Sequence, residues 1–157
     1  MRFEPLLSWT YDDGGREAAG FRGHSVGDCV VRSVAIVTGR SYKRVHAAMT
    51  KIVRGGLHRD HWGRKPSVND GVPTSSLAFR TYMEKAGYRY VVTSDQKLLL
   101  GIHKLPRGRL IVSLRRHYTA VVNGAIRDTY DPRFNHSGEQ VEARVLGYWI
   151  KAKTPKG

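Results

Sequence analysis

Between Val122 and Ala125 the chain carries Asn123-Gly124, the dipeptide that most strongly favours a two-residue hairpin turn, because both positions of a type I′ turn need positive φ. The flanking runs, His117–Val122 and Ala125–Tyr130, are rich in apolar and β-branched residues and read as strands. A two-residue turn fixes the register. Val122 then faces Ala125, Thr119 faces Asp128, and His117 faces Tyr130. Side chains alternate along a strand, so His117 and Asp128 share a face in diagonal positions, roughly 7–8 Å apart between Cα atoms. An imidazole and a carboxylate close such a gap with a hydrogen bond. Asp131 has the opposite parity and reaches His117 only if the strand breaks near Asp131-Pro132. Asp128 is therefore the preferred partner of His117, with Asp131 in reserve.

Far upstream lies the only cysteine of the chain, in Gly27-Asp28-Cys29-Val30-Val31-Arg32-Ser33-Val34-Ala35-Ile36-Val37-Thr38-Gly39. A Gly-Asp breaker leads into an apolar run that reads as a buried helix from about Cys29 to Thr38, closed by Gly39. Cys29 thus falls in the first helical turn, where unpaired backbone N–H groups and the positive end of the dipole favour a thiolate. A cysteine alone on an apolar helix behaves as a small buried hydrophobe. The helix-start position together with a distant strand His and an acid is instead what a thiol enzyme needs. In that reading Cys29 is the nucleophile, His117 holds it as a thiolate–imidazolium pair and protonates the leaving group, and Asp128 fixes the imidazole tautomer. The oxyanion is held by the Cys29 N–H and one donor from the preceding segment, with His24 and Ser25 as candidates.

The remaining elements follow from punctuation and periodicity. Residues 1–28, rich in Gly and charge, read as an extended N-terminal arm with a short strand near Leu6–Tyr11. Ser41 caps a second helix over about Tyr42–Arg54, stopped by Gly55-Gly56. Residues 57–72 form a long basic loop. Thr74 or Ser75 caps a third helix over about Ser76–Ala86, with Leu77, Phe79, Tyr82 and Met83 as buried positions, closed by Gly87. Strands are expected over Tyr88–Thr93, Arg109–Leu114 and Val145–Lys151 besides the hairpin, with a short helix within Ser94–His103. Residues 152–157 form a basic tail. Helices first and strands later indicate one α+β domain over residues 1–157, with the N-terminal helices packed on an antiparallel sheet.

Lys and Arg number 27 against 13 acidic residues, a net charge of +14 spread along the 157 residues. Such a surface attracts an acidic protein, nonspecific nucleic acid or an anionic substrate, although no nucleic-acid motif accompanies it. Trp62 among Arg59, Arg64 and Lys65 is a candidate polyanion contact, and Arg115-Arg116 flanks His117. His58-Arg59-Asp60-His61 has metal-type ligands but no Cys pair nearby, so no metal site or cofactor is expected. No apolar stretch is long enough for a membrane span. The single cysteine suits a reducing compartment, and a cytoplasmic location is expected.

The segments Gly27–Gly39, Asn69-Asp70-Gly71-Val72-Pro73, Gly108-Arg109-Leu110-Ile111-Val112, His117–Pro132 and Gly147-Tyr148-Trp149 together resemble the papain-like cysteine peptidase superfamily. More narrowly, they are similar to small proteins of bacteria and their phages within it. The resemblance covers a little under half the chain. It implies a papain-like fold, Cys29 as nucleophile, His117 as base, and an acid best matched by Asp128. Papain-like enzymes commonly place a Gln several residues before the Cys. Here that stretch is Arg22-Gly23-His24-Ser25-Val26, so His24, Ser25 or a backbone N–H takes its place. The expectation is a thiol hydrolase, a cysteine peptidase or isopeptidase working through an acyl-enzyme on a protein or peptide substrate. The alternative is a basic non-catalytic module that binds nucleic acid or an acidic protein on the same scaffold.

Overall fold

The structure is a computed structural model, and it describes residues 7–21, 28–55, 67–68 and 71–153. Among these, α1 (Cys29–Thr38), α2 (Tyr42–Arg54) and α3 (Leu77–Lys85) pack on one sheet of β1 (Ser8–Tyr11), β2 (Tyr88–Val92), β3 (Arg109–Leu114), β4 (His117–Val122), β5 (Ala125–Asp128) and β6 (Gly147–Lys151). The strand order is β1-β5-β4-β3-β6-β2. Its centre is the expected hairpin. Asn123 and Gly124 both have positive φ, 49° and 80°. The pairs Val122↔Ala125, Val121↔Ile126 and Ala120↔Arg127 follow.

The class is α+β, but the sheet is mixed rather than antiparallel. β1 runs parallel to β5, with Ser8 beside Ala125 and Tyr11 beside Asp128. A parallel neighbour needs a long crossover. Here all three helices and the strands β2 to β4 lie between the two in sequence. The N-terminal segment is correspondingly not an arm where it is described. After β1, Asp12 and Asp13 accept hydrogen bonds from the N–H groups of Gly14 and Gly15, at 2.8 and 2.9 Å, and turn the chain back. Phe21 then stacks against Tyr42 and His46 of α2, with ring centroids 5.2 and 4.4 Å apart.

α1 is buried from Val30 to Val37. One layer of core lies between the helices and the sheet, where Val31, Val34, Met49, Phe79 and Met83 meet Ile111, Tyr118, Ala120 and Trp149. A second layer lies on the other sheet face, where Leu100, Ala143 and Val145 cover Leu110, Val112, Val121 and Ile126. β3 and β4 are buried on both faces, which is why they read as largely apolar runs rather than alternating ones.

Helix boundaries follow their caps. Ser41 accepts from the Arg44 N–H at 3.2 Å. For α3 the cap is Ser76, which accepts from the Phe79 N–H at 3.2 Å, one residue after Ser75 and two after Thr74. That shift leaves Leu77 in the first turn and 78% exposed, not buried. The expected helix within Ser94–His103 is a single 3₁₀ turn, Ser94–Gln96. β5 stops at Asp128, short of Tyr130, because the Thr129 N–H bonds to the Asp128 carboxylate at 2.7 Å rather than to the ladder. β6 begins at Gly147 rather than Val145. Among the described residues no helix is long and apolar enough to cross a membrane.

Gly14 of the N-terminal turn lies against the backbone of α1 at Arg32. It has φ 69°, and a Cβ there would lie 2.9 Å from the Arg32 carbonyl oxygen. Left-handed backbone alone costs an L-residue about 1–2 kcal/mol. We expect Gly14→Ala to lower the melting temperature by about 5 °C or more in calorimetry. An unchanged transition would mean that the turn is not held against the helix.

Candidate active site

Three elements end at one place: the first residue of α1, the first of β4 and the last of β5. The type I′ turn sets the second and third. With Ala120 opposite Arg127, the next position along puts Thr119 opposite Asp128 and leaves His117 diagonal to it. The His117 Nε2 lies 2.7 Å from Asp128 Oδ2. The other ring nitrogen is left for the Cys29 thiol, on which His117, the Tyr118 backbone N–H and Arg32 act. The imidazole side chain is 11% exposed and the carboxylate 3%, so the pair is shielded but reachable from the histidine side.

Charge and hydrogen bonding override burial at each member. Burial pushes the Cys29 thiol up, but the hydrogen bond and charge of His117, the Tyr118 N–H and the Arg32 guanidinium bring it below its ordinary value. Burial pulls His117 down, but Asp128 and Cys29 together raise it to about 9. Asp128 is held below the usual carboxylate value, because His117 and Arg32 outweigh its burial. All three shifts favour the same state: thiolate, imidazolium, carboxylate.

The start of α1 is also open in the way that state needs. Asp28 stands at the N-cap yet makes no capping hydrogen bond. The first intrahelical bond runs from the Arg32 N–H to the Asp28 carbonyl at 3.0 Å. The N–H groups of Cys29, Val30 and Val31 therefore have no acceptor within the helix. They present the positive end of the helix dipole to the sulfur and to any oxyanion formed beside it.

Of the residues singled out from the sequence, the structure brings together Cys29, His117 and Asp128. Asp131 is elsewhere engaged: both its oxygens bind the Arg133 guanidinium, at 2.9 and 2.7 Å. Arg116 occupies the tight turn before His117 with φ 58°. Arg115 lines a cavity of about 540 Å³ that opens beside His117, with Leu114, Tyr130, Ala143 and Leu146 among its walls. His24, Ser25, Arg59, Trp62, Arg64 and Lys65 lie outside the described residues, as do His58, Asp60 and His61.

Two features of the site went unread in the sequence. Tyr130 stacks its ring on His117, with centroids 5.0 Å apart and 36° between planes. The hairpin register that pairs His117 with Tyr130 contained that contact. Arg32, 6% exposed within an apolar helix, links the two aspartates, close to Asp28 and 3.5 Å from Asp128 Oδ1. Its signal was the i, i+4 spacing from Asp28.

A free thiol titrates near 8.5. We expect the rate of Cys29 alkylation by iodoacetamide to rise at a pH below that value, and His117→Ala to move the rise upward, because the replacement removes both the hydrogen bond and the positive charge. Identical profiles in the two proteins would show that His117 does not act on the sulfur. The chain matches no known family model, no curated protein and no solved structure, so its chemistry rests on these residues alone.

Proposed function

We propose that the protein is a thiol hydrolase, a cysteine peptidase or isopeptidase that works through an acyl-enzyme on a papain-like α+β scaffold. The observation that carries this reading is the His117–Asp128 pair, Nε2 to Oδ2 at 2.7 Å, set beside Cys29 at the start of α1. The Cys29 sulfur attacks the substrate carbonyl carbon, forming a C–S bond while the carbonyl electrons move to oxygen. The Cys29 N–H and a neighbouring donor hold that oxyanion. As the oxyanion collapses the C–N bond breaks, and the His117 imidazolium gives its proton to the departing amine. Neutral His117 then takes a proton from water, which attacks the thioester. Collapse of the second intermediate releases the carboxylic acid and restores thiolate and imidazolium. Asp128 keeps the imidazole in the orientation and tautomer that serve both transfers.

The cavity beside His117 offers a seat for substrate, and its volume of about 540 Å³ has room for more than one side chain. Arg115 and Arg144 border it along with Glu142. With the +14 net charge, they favour a peptide or protein substrate with acidic character over a basic one. The unpaired thiol points to a reducing compartment such as the cytoplasm.

The experiment is kinetics of purified variants on a peptide found by trapping the acyl-enzyme in intact-mass measurements. Cys29→Ala should abolish turnover with the fold intact, because Ala is a good helix residue. Asp128→Ala should lower kcat at least about tenfold, a barrier change of about 1.4 kcal/mol. Asp131→Ala should leave kcat nearly unchanged and lower the melting temperature, because its loss frees the Arg133 that also donates to the Leu7 carbonyl at 2.9 Å. A dead Asp131→Ala beside an active Asp128→Ala would overturn the triad. The pH profile has a sign as well. His117 titrates at about 9, and the leaving group needs its proton, so turnover should fall as the pH rises through about 9. A rate that stays level well beyond that point would remove His117 as the acid.

A further inference from the structure

The Asp28 carboxylate takes no part in the chemistry above, yet it is completely buried. It accepts from the Tyr42 hydroxyl at 2.8 Å and from Arg16 Nη1 at 3.3 Å on both oxygens, and makes a close ion pair with Arg32 Nη1. On its other side the same guanidinium presents Nη2 to Asp128 Oδ1 at 3.5 Å. Asp128 Oδ1 also accepts the Thr129 N–H, which leaves Oδ2 for His117. One planar, permanently charged group thus joins the residue before the nucleophile to the acid of the hairpin. Buried ion pairs are a poor source of stability beside apolar packing of the same volume, so this one calls for another role.

We propose that Arg32, braced by Asp28, is a positioning residue of the Cys29–His117–Asp128 site: it keeps the Asp128 carboxylate ionised and aimed at His117, and sets the pH at which the thiolate forms. The proposal rests on the thiol-hydrolase reading. The fixed charges of Arg16, Asp28, Arg32 and Asp128 sum to zero, so moving a proton from Cys29 to His117 leaves the cluster neutral overall. Removing either Arg32 or Asp28 breaks the balance, and in opposite directions. Among the described residues the groups that face this cluster are few. Cys29 meets His117, the Tyr118 N–H and Arg32. His117 meets Cys29, Asp128 and the Tyr130 ring. Asp28 meets Arg16, Arg32, Tyr42 and, further off, the field of His46.

The test is iodoacetamide alkylation of Cys29 in the full chain from mild acid to mild alkali, with melting curves, for the wild type, Arg32→Met, Arg32→Lys and Asp28→Asn. Loss of the cation in Arg32→Met should move the rising limb up by about half a pH unit or more, roughly threefold in rate at a fixed pH on that limb. Arg32→Lys, which restores the charge, should bring the limb back toward the wild type. Asp28→Asn should move it down. A folded Arg32→Met with the wild-type limb, or an Arg32→Lys that behaves like Met, would overturn the proposal and reduce Arg32 to a structural ion pair. If Arg32→Met does not fold, Asp28→Asn decides, and an unshifted or raised limb overturns the proposal. A wild-type thiol with an ordinary profile would be a different failure, removing the thiol-hydrolase reading itself.

Discussion

The burial of α1 against β4 is the constraint on which the site depends. Six of its ten residues are β-branched, Val30, Val31, Val34, Ile36, Val37 and Thr38. Intrinsic propensity therefore works against it, by up to about 0.7 kcal/mol per residue relative to alanine. Burying a Val or Ile side chain contributes about 1.5–3 kcal/mol, so packing outweighs propensity and the segment is helical because of its surroundings. Its register is then pinned at both ends. At the C-terminus Arg109 donates to the carbonyls of Ile36 and Val37, at 2.6 and 2.8 Å, and sets a cation against the negative end of the dipole. At the N-terminus Asp28 is locked by Arg16, Arg32 and Tyr42. A helix held in this way cannot slide along the sheet, and Cys29 stays where the hairpin brings His117.

The inward turn of Asp28 resolves a competition. An aspartate at an N-cap ordinarily bonds the first helical N–H groups. Its charge would then occupy the positive end of α1, the place where a thiolate and an oxyanion need support. With its carboxylate committed to Arg16, Arg32 and Tyr42, the Asp28 side chain leaves the N–H groups uncapped. The same commitment carries a cost. The buried charges of Asp28, Arg32 and Asp128 are stable only when all are paired, since an unpaired buried charge is far more expensive than a lost surface ion pair. The segment from Asp12 to Phe21 exists structurally to meet that requirement: its turn brings Arg16 to Asp28.

The hairpin and the His117–Asp128 pairing were legible in the sequence because both are local. Asn123-Gly124 dictates the turn, the turn dictates parity, and parity separates Asp128 from Asp131. The caps at Gly39 and Ser41 were legible for the same reason. What escaped was non-local. Nothing within Ser8–Tyr11 says that it pairs parallel to β5, because the partner lies more than a hundred residues away. All four of its residues are exposed, so no alternation marks a buried face. Arg32 was not singled out, since one of its two partners, Asp128, comes from a distant strand. The α3 cap slipped by one residue within Thr74-Ser75-Ser76, where three equivalent hydroxyls give the backbone three choices and packing of Phe79 and Met83 selects the last.

The large positive charge and the tuned site are separate matters. Surface charges act on Cys29 across water and are screened over about 8 Å at physiological ionic strength. The partners inside the site act at hydrogen-bond distance, His117 on Asp128 at 2.7 Å. Interactions at that range in a partly dry pocket exceed the screened field of a distant lysine several-fold. The state of the thiol is therefore set by His117, Asp128 and Arg32, and should be nearly insensitive to salt. What the surface charge governs is arrival: it raises the local concentration of anionic partners, and that effect weakens as salt rises. Salt therefore separates the two. A screened surface slows the encounter with an anionic partner, and the thiol keeps its pH dependence.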